Sequence, residues 1–576
     1  MNSSLNPALS VRLPVWRARL LLLLVFSGFL VLTARAFYLQ GMHNDFLQHK
    51  GETRYARVLE ISAHRGMVTD RNGEPLALST PVESVWAAPA DADLTAGQRA
   101  KLTRLLGMDA TELKKKLSES GRDFVYLKRQ LPPDQAAKVV QLNLPGVFLQ
   151  REYRRYYPAA EVTAHVVGVT GVDDNGQEGI ELAYQEWLTG KPGSRRVIKD
   201  RLGHVVEDIE SIRAPQEGRE LALSIDQRIQ YLAFRELKSA IALNEAKAGS
   251  VVVLDVNTGE VLALANWPTY NPNNRETLKV GRSRNRAVVD LFEPGSTLKP
   301  FTVAAALDSG QVSPRSMIDT QGGHYTIGNR TIHDAHPEGI LTVAQVIQKS
   351  SNVGSAKMAL AMAPQKLWAI LSAVGFGAPT KVGFPGEATG RLRAYQTWKP
   401  IEQATMSYGH GISVSLLQLA RAYSVFATEG KLQPLTLIKR DQPVEGTAVI
   451  SPRTAMAVRK MLEMVTQPGG TATRAQVAGF RVAGKTGTAH KLAGATYASD
   501  RYISSFVGFA PASNPRLVIA VMLDEPGGKS YYGGEVAAPV FSTVMAGALR
   551  LLGIEPDAAL DNVISPDSIP VVREEV

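Results

Sequence analysis

Three short clusters carry residue types suited to nucleophilic chemistry. In Pro294-Gly295-Ser296-Thr297-Leu298-Lys299-Pro300 a serine stands three residues before a lysine, ahead of the apolar run Val303 to Leu307. Proline cannot donate into a helix interior, so Pro300 must lie within about the first turn. Ser296 then falls at or just before the helix start, where unpaired N–H groups favour developing negative charge. Lys299 shares its face. The pair works as nucleophile and base only if the lysine can be neutral. Against a reference pKa of ~10.4, that costs about 4–5 kcal/mol at pH 7, and burial with a second cation supplies such a shift. The alternative is an ordinary exposed serine and lysine in a first turn.

The second cluster is Ser350-Ser351-Asn352, ahead of another helical stretch. Ser350 could relay a proton and Asn352 could bond a peptide amide. The same S-x-N spacing also occurs at Ser4-Leu5-Asn6 and Ser283-Arg284-Asn285, so alone it carries nothing. The third is Lys485-Thr486-Gly487-Thr488, in a stretch that reads as a strand through Phe480 and Val482. Gly487 allows another backbone to approach, as where a sheet edge docks an extended peptide. Thr486 and Thr488 alternate onto one face and offer two hydroxyls to a carboxylate. Lys485 adds positive field. The order SxxK, SxN, KTG is the signature of penicilloyl-serine enzymes.

Gly479 to Thr486 also satisfies G-x-x-x-x-G-K-[ST], a formal phosphate-loop match. Such a loop opens a helix, and Gly487-Thr488 with Leu492–Ser499 does not read as one. His333-Asp334-Ala335-His336, with His324 and Glu338 nearby, reads as a polar loop in preference to a metal site. Tyr408-Gly409-His410-Gly411 reads as a backbone-approach or packing feature, and the basic run Arg151 to Arg155 as a solvated surface.

These clusters sit in a chain of 576 residues, with 44% hydrophobic residues, 20% charged residues and a formal net charge of +10. That composition can bury a sizeable core and excludes a wholly disordered or collagen-like chain. With no cysteine, disulfides, thiolate nucleophiles and iron–sulfur clusters are excluded. The basic balance fits nucleic acid, anionic lipid or an acidic polymer equally.

Leu20 to Ala34 is uncharged, and extension to Leu39 gives about the length a membrane crossing needs. Arg12, Arg17 and Arg19 precede it, so the first ~19 residues are expected on the cytoplasmic side. The rival is a cleaved signal peptide ending at Ala34-Arg35-Ala36. After this segment, Asn72-Gly73 marks a hairpin turn, and Leu102, Leu105, Leu106, Leu113 and Leu117 show helical spacing. Ala214 to Gly218 reads as a linker. Beyond it Asp226 caps a helix, and Ser250–Asp255 with Glu260–Asn266 forms a hairpin. Two further strands fall near Tyr502–Phe509 and Leu517–Leu523. The last 23 residues hold three prolines and six acids against Arg573, and read as a loose tail.

The sequence resembles the class B penicillin-binding proteins, in particular the division-type peptidoglycan D,D-transpeptidases. Besides the three clusters, the resemblance rests on Arg35-Ala36-Phe37-Tyr38-Leu39-Gln40, Arg65-Gly66, Asp70-Arg71-Asn72-Gly73, Glu178-Gly179-Ile180-Glu181 and Tyr408-Gly409-His410-Gly411. It implies a multidomain α/β (α+β) chain: a cytoplasmic tail over 1–19, a transmembrane helix over 20–39, and an elongated pedestal of the dimerisation type over 40–219. A transpeptidase domain over 220–553, with a five-stranded antiparallel sheet flanked by helices, and a flexible tail over 554–576 complete it. The resemblance assigns Ser296, Lys299, Ser350 and Lys485 to catalysis, and Asn352, Thr486, Gly487 and Thr488 to substrate binding. It implies no metal and no cofactor. The implied substrates are stem peptides ending in D-Ala-D-Ala, with β-lactams as covalent inhibitors. A SEDS-type glycosyltransferase and other divisome proteins are the implied partners, with no nucleic acid, at the septal inner membrane and with the catalytic domain periplasmic. A serine D,D-carboxypeptidase or β-lactamase, and a silent scaffold or β-lactam sensor, are the alternatives.

Overall fold

The computed structural model describes residues 15–38, 56–61, 63–118, 124–199, 205–274, 276, 281–494 and 496–563. Residues 1–14, with Arg12, lie outside them, as do Leu39 and Gln40. Val15–Phe37 is a 23-residue helix with no buried residue and Arg35 in its last turn. Among the described residues it is the one helix long and apolar enough to cross a membrane, and it suggests a single-pass anchor.

The chain forms two compact units, and neither is continuous in sequence. One comprises Met1–Ala63, Val82–Glu152 and Lys191–Gln216; the other comprises His64–Pro81, Tyr153–Gly190 and Glu217–Val576. In the first, Ala56–Ile61, Gly193–Lys199 and Val205–Arg213 make a three-stranded antiparallel sheet. The leucine periodicity noted above builds the helices Ala96–Leu106 and Ala110–Leu117, which bury Leu102, Leu106 and Leu113. Thr95 starts the former with a reciprocal capping box to Gln98.

The second unit is built on five antiparallel strands: β1 (Ala248–Asp255), β2 (Val261–Trp267), β3 (Ala483–Ala493), β4 (Thr496–Ala510) and β5 (Leu517–Asp524). Their order in the sheet is β2-β1-β5-β4-β3, so three later strands complete a sheet begun before the long helical insertion. Strand β1 is buried at every position, which fits its central apolar run Val251 to Leu254. Helix α1 (Gln227–Leu243), capped by Asp226, and a late helix, Ala538–Leu551, pack together against the sheet.

The insertion carries α2 (Lys299–Asp308), α3 (Val343–Lys349), α4 (Asn352–Leu360) and α5 (Leu416–Ala427). Phe301 anchors α2, with edge-on contacts to Phe376 and Tyr423 and a tilted one to Phe426. Such a buried ring contributes about 1.5–3 kcal/mol, which fixes the helix that presents Lys299.

Two sequence expectations are corrected here. The run Arg151 to Arg155 is not a uniformly solvated surface: it lies in a strand, Val147–Tyr156, in which Glu152 and Arg155 are buried while Arg151 and Arg154 are exposed. Arg155 is buried and pairs with Glu181 at 2.6 Å, and Arg65 pairs with the same carboxylate at 2.7 Å. The segment Ala214 to Gly218, read as a linker, carries the boundary between the two units, which falls after Gln216; Gln216 exchanges two backbone bonds of 2.8 Å with Lys191, and the Gly218 amide donates to His64 O. Residues 554–562, expected in the loose tail, are held because Asp557 accepts from Arg481 N, Ser513 N and Ser513 Oγ. Asn562 accepts from Gly479 N. The rest of the expected tail, 564–576, lies outside the described residues.

Candidate active site

The chain enters the site through Gly295–Leu298, a single 3₁₀ turn that runs directly into α2, with Pro300 in its first turn. Ser296 sits in that turn, one helical step from Lys299. Lys299 Nζ donates to Ser296 Oγ at 2.9 Å and to Ser350 Oγ at 3.0 Å, and also to the Ser350 carbonyl. Lys299 is fully buried; Ser296 and Ser350 are 4% and 8% exposed. A buried amine needs its hydrogen-bonding capacity met, and three oxygens surround this one.

Ser350 reaches the lysine because it closes α3 in the left-handed region, at φ +62°. Ser351 then caps α4, accepting from Gly354 N at 2.9 Å. Asp334 reinforces this start, taking a bond from Ser351 Oγ at 2.6 Å and one from Val353 N at 2.9 Å. Asn352 Nδ2 donates to the His333 carbonyl at 3.0 Å. Asp334 and His333 belong to the polar loop of the sequence reading. His324 Nδ1 there lies 2.8 Å from His333 Nδ1, across a two-stranded hairpin.

Lys485, Thr486, Gly487 and Thr488 lie on β3, a strand rather than a loop opening a helix, so the phosphate-loop match has no structural counterpart. Lys485 is fully buried, with Nζ 3.1 Å from Thr486 Oγ1. Thr486 Oγ1 lies 2.9 Å from Thr471 Oγ1, and Thr488 Oγ1 accepts from Gly533 N at 3.0 Å. A Cβ at Gly487 would stand 2.6 Å from Ser505 Oγ and 2.8 Å from the Pro294 carbonyl. The close backbone expected at this glycine is therefore that of the nucleophile turn.

Ser296, Asn352 and Thr488 line one cleft of about 140 Å³, together with Thr331, Ile332, His333, Tyr408 and His410. Tyr408 and His410 come from the loop read as a packing feature, and the packing is severe at Gly409, which lies against the backbone of Gly295. Burial, reinforced by the positive charges of Lys299 and His490, lowers the His410 imidazole to about 4. It is neutral near pH 7.

Sequence reasoning missed Asp334 as a clamp on the second cluster, Thr471 beside Thr486, and Tyr423, whose hydroxyl donates to Thr297 O at 2.7 Å. None lies in a motif. Asp334 was read only as part of a polar loop.

A buried serine–lysine–serine relay, facing a threonine-bearing sheet edge, is the arrangement of a serine acyl-transfer site. The family model for the penicillin-binding protein transpeptidase domain matches residues 249–546, and that for the penicillin-binding protein dimerisation domain matches 60–223. The chain belongs to the penicillin-binding protein transpeptidase family. It is 44% identical to the probable peptidoglycan D,D-transpeptidase PenA of Neisseria gonorrhoeae, over 92% of each chain. It is equally 44% identical to the peptidoglycan D,D-transpeptidase FtsI of Escherichia coli, over 94% of this chain and 93% of that one. Among solved structures, the transpeptidase domain of Burkholderia pseudomallei penicillin-binding protein 3 matches 58% of this chain and 97% of its own. Its TM-score is 0.54 at 48% identity.

Proposed function

We propose that this chain is a septal peptidoglycan D,D-transpeptidase that crosslinks stem peptides through an acyl-serine intermediate. The observation that carries the reading is Lys299 Nζ between Ser296 Oγ and Ser350 Oγ, at 2.9 and 3.0 Å in a buried pocket.

In this reading Ser296 Oγ attacks the carbonyl of the penultimate D-Ala and gives its proton to Lys299. The backbone amides of Ser296 and Thr488 stabilise the oxyanion. Lys299 and Ser350 pass a proton to the leaving amine, and terminal D-Ala departs. Lys485 supplies positive field, Thr486 and Thr488 hold the terminal carboxylate, Gly487 keeps the strand close to the nucleophile, and Asn352 holds the donor backbone. An amine of a second strand then attacks the ester, restoring Ser296. A β-lactam acylates the same serine and stays. The reading needs no metal or cofactor and involves no nucleic acid.

The apolar helix and the arginines before it support a single-pass inner-membrane protein with its catalytic part periplasmic. In this reading residues 40–219 form a pedestal of the dimerisation type and residues 220–553 the transpeptidase domain. The protein's place in this reading is the division septum, beside a SEDS-type glycosyltransferase and other divisome proteins, as the motif resemblance implies.

Intact-mass spectrometry of the protein with penicillin, beside Ser296→Ala, tests the reading. The expected result is a stable adduct on the wild type and none on the variant. Rapid drug hydrolysis after transient acylation would make it a β-lactamase, and no adduct on folded protein would make it a scaffold.

A further inference from the structure

Glu293, three residues before the nucleophile, has a buried carboxyl that accepts from two separate parts of the chain. The Gly411 amide donates to Oε1 at 2.8 Å, and the Tyr497 hydroxyl donates to Oε2 at 2.8 Å. Gly411 closes the Tyr408 to Gly411 loop. Tyr497 is the second residue of β4, paired with Leu492 at the tip of the β3–β4 hairpin. The same hairpin presents Thr488 to the cleft.

Tyr497 also leans on the cleft wall. Its ring lies 5.9 Å from that of His410, which meets Tyr408 edge-on at 5.2 Å. His410 and Tyr408 line the cleft beside Ser296. Burial raises the Glu293 carboxyl above its usual range, and burial together with Glu293 raises the Tyr497 phenol, so the phenol remains a donor. An apolar residue at 293 would fill the space and leave the Gly411 amide without this acceptor, an arrangement that burial penalises.

We propose, on the acyl-serine reading above, that Glu293 is a positioning residue that latches the tip of the β3–β4 hairpin and the Tyr408 to Gly411 loop to the nucleophile turn. The latch holds the wall that meets the donor peptide. Ser296 and Lys299 keep their own contacts without it, so its loss weakens capture of the acylating substrate more than the chemical step. Glutamine can replace the carboxyl, accepting from Gly411 through Oε1 and donating to the Tyr497 oxygen through Nε2. Alanine can do neither.

The experiment uses the full chain in detergent with four variants: E293A, E293Q, Y497F and E293A/Y497F. Stopped-flow acylation by a fluorescent penicillin separates the half-saturating concentration from the limiting rate. Hydrogen exchange of the peptide covering 490–499 reports on the hairpin tip. We expect E293A to raise the half-saturating concentration roughly tenfold, Y497F to raise it less, and the double variant to match E293A. E293Q should stay within about twofold of the wild type, and tip exchange should rise in E293A, Y497F and the double variant but not in E293Q. Unchanged exchange in E293A would overturn the latch, as would additive effects in the double variant. If the wild type forms no adduct, the acyl-serine reading fails by itself. The latch is then judged on exchange, where protection lost in E293A and kept in E293Q upholds it.

Discussion

Gly409 lies against Gly295 so tightly that a Cβ on Gly409 would stand 2.2 Å from the Gly295 carbonyl oxygen and 2.5 Å from its amide nitrogen. Gly295 opens the 3₁₀ turn that presents Ser296, so the Tyr408 to Gly411 loop acts as a floor beneath the nucleophile. Gly409 also has φ +91°, a conformation that L side chains rarely adopt.

G409A therefore has to displace the nucleophile turn or its own loop. A shift of about 1 Å at a reacting atom can cost roughly 100-fold in rate. The expected outcome is a folded protein whose acylation by a fluorescent penicillin slows by about one to two orders of magnitude. Rates equal to the wild type would mean that the floor yields without moving Ser296.

Lys299 is the base in the proposed chemistry, and its replacements separate charge from proton transfer. K299A should slow acylation by about 10²–10⁴-fold, the usual range for a lost general base. K299R should be nearly as slow, because a guanidinium keeps its proton and cannot accept that of Ser296. Intact-mass time courses measure both, and a K299R rate near that of the wild type would remove Lys299 from this role.

How much of this was legible in the sequence depends on whether the contact is local. Ser296 and Lys299 are three residues apart in a turn fixed by Pro300, so their meeting at 2.9 Å follows from helix geometry. The hairpin β1–β2 and the cap at Asp226 are local in the same sense, and both form where the pattern put them. Arg155 was misread because a basic run looks solvated until folding brings Glu181, 26 residues on, to meet it. Asp334 and Thr471 join the site through folding contacts with Ser351 and Thr486, and no spacing rule links those pairs. The Gly487 signal was read correctly as a close approach, but the sequence could not say which backbone approaches.

Glu181 is fully buried between Arg65 and Arg155, whose side chains are each 1% exposed. Removing one partner of such a cluster leaves uncompensated buried charge. E181A is expected to cost about 3–5 kcal/mol of stability, read from urea unfolding midpoints at constant m. A loss below about 1 kcal/mol, the range of exposed pairs, would mean that water enters and solvates the two arginines.

His165 gives the stability curve a predictable acid limb. Its ring is buried, with Nε2 2.7 Å from the Arg282 carbonyl. Burial, partly offset by that bond and aided by Arg286, lowers the imidazole from 6.5 to about 4. The unfolded chain therefore binds a proton at His165 below pH 6.5 that the folded chain refuses until about pH 4. Stability falls as pH drops through that window, by up to about 1.4 kcal/mol per pH unit, and flattens below it. Asp174 works the other way: burial raises its carboxyl to about 6, so the folded chain takes up that proton first and gains stability as pH falls. His410, also lowered to about 4, adds to the loss. The total curve mixes these groups, but Asp174 and His410 are common to the wild type and H165Q, so their difference isolates His165. Urea midpoints at pH 7.5, 6, 5 and 4 should show the wild-type advantage shrinking steadily between about pH 6.5 and pH 4. A difference independent of pH would mean that His165 titrates in the folded chain as it does in water.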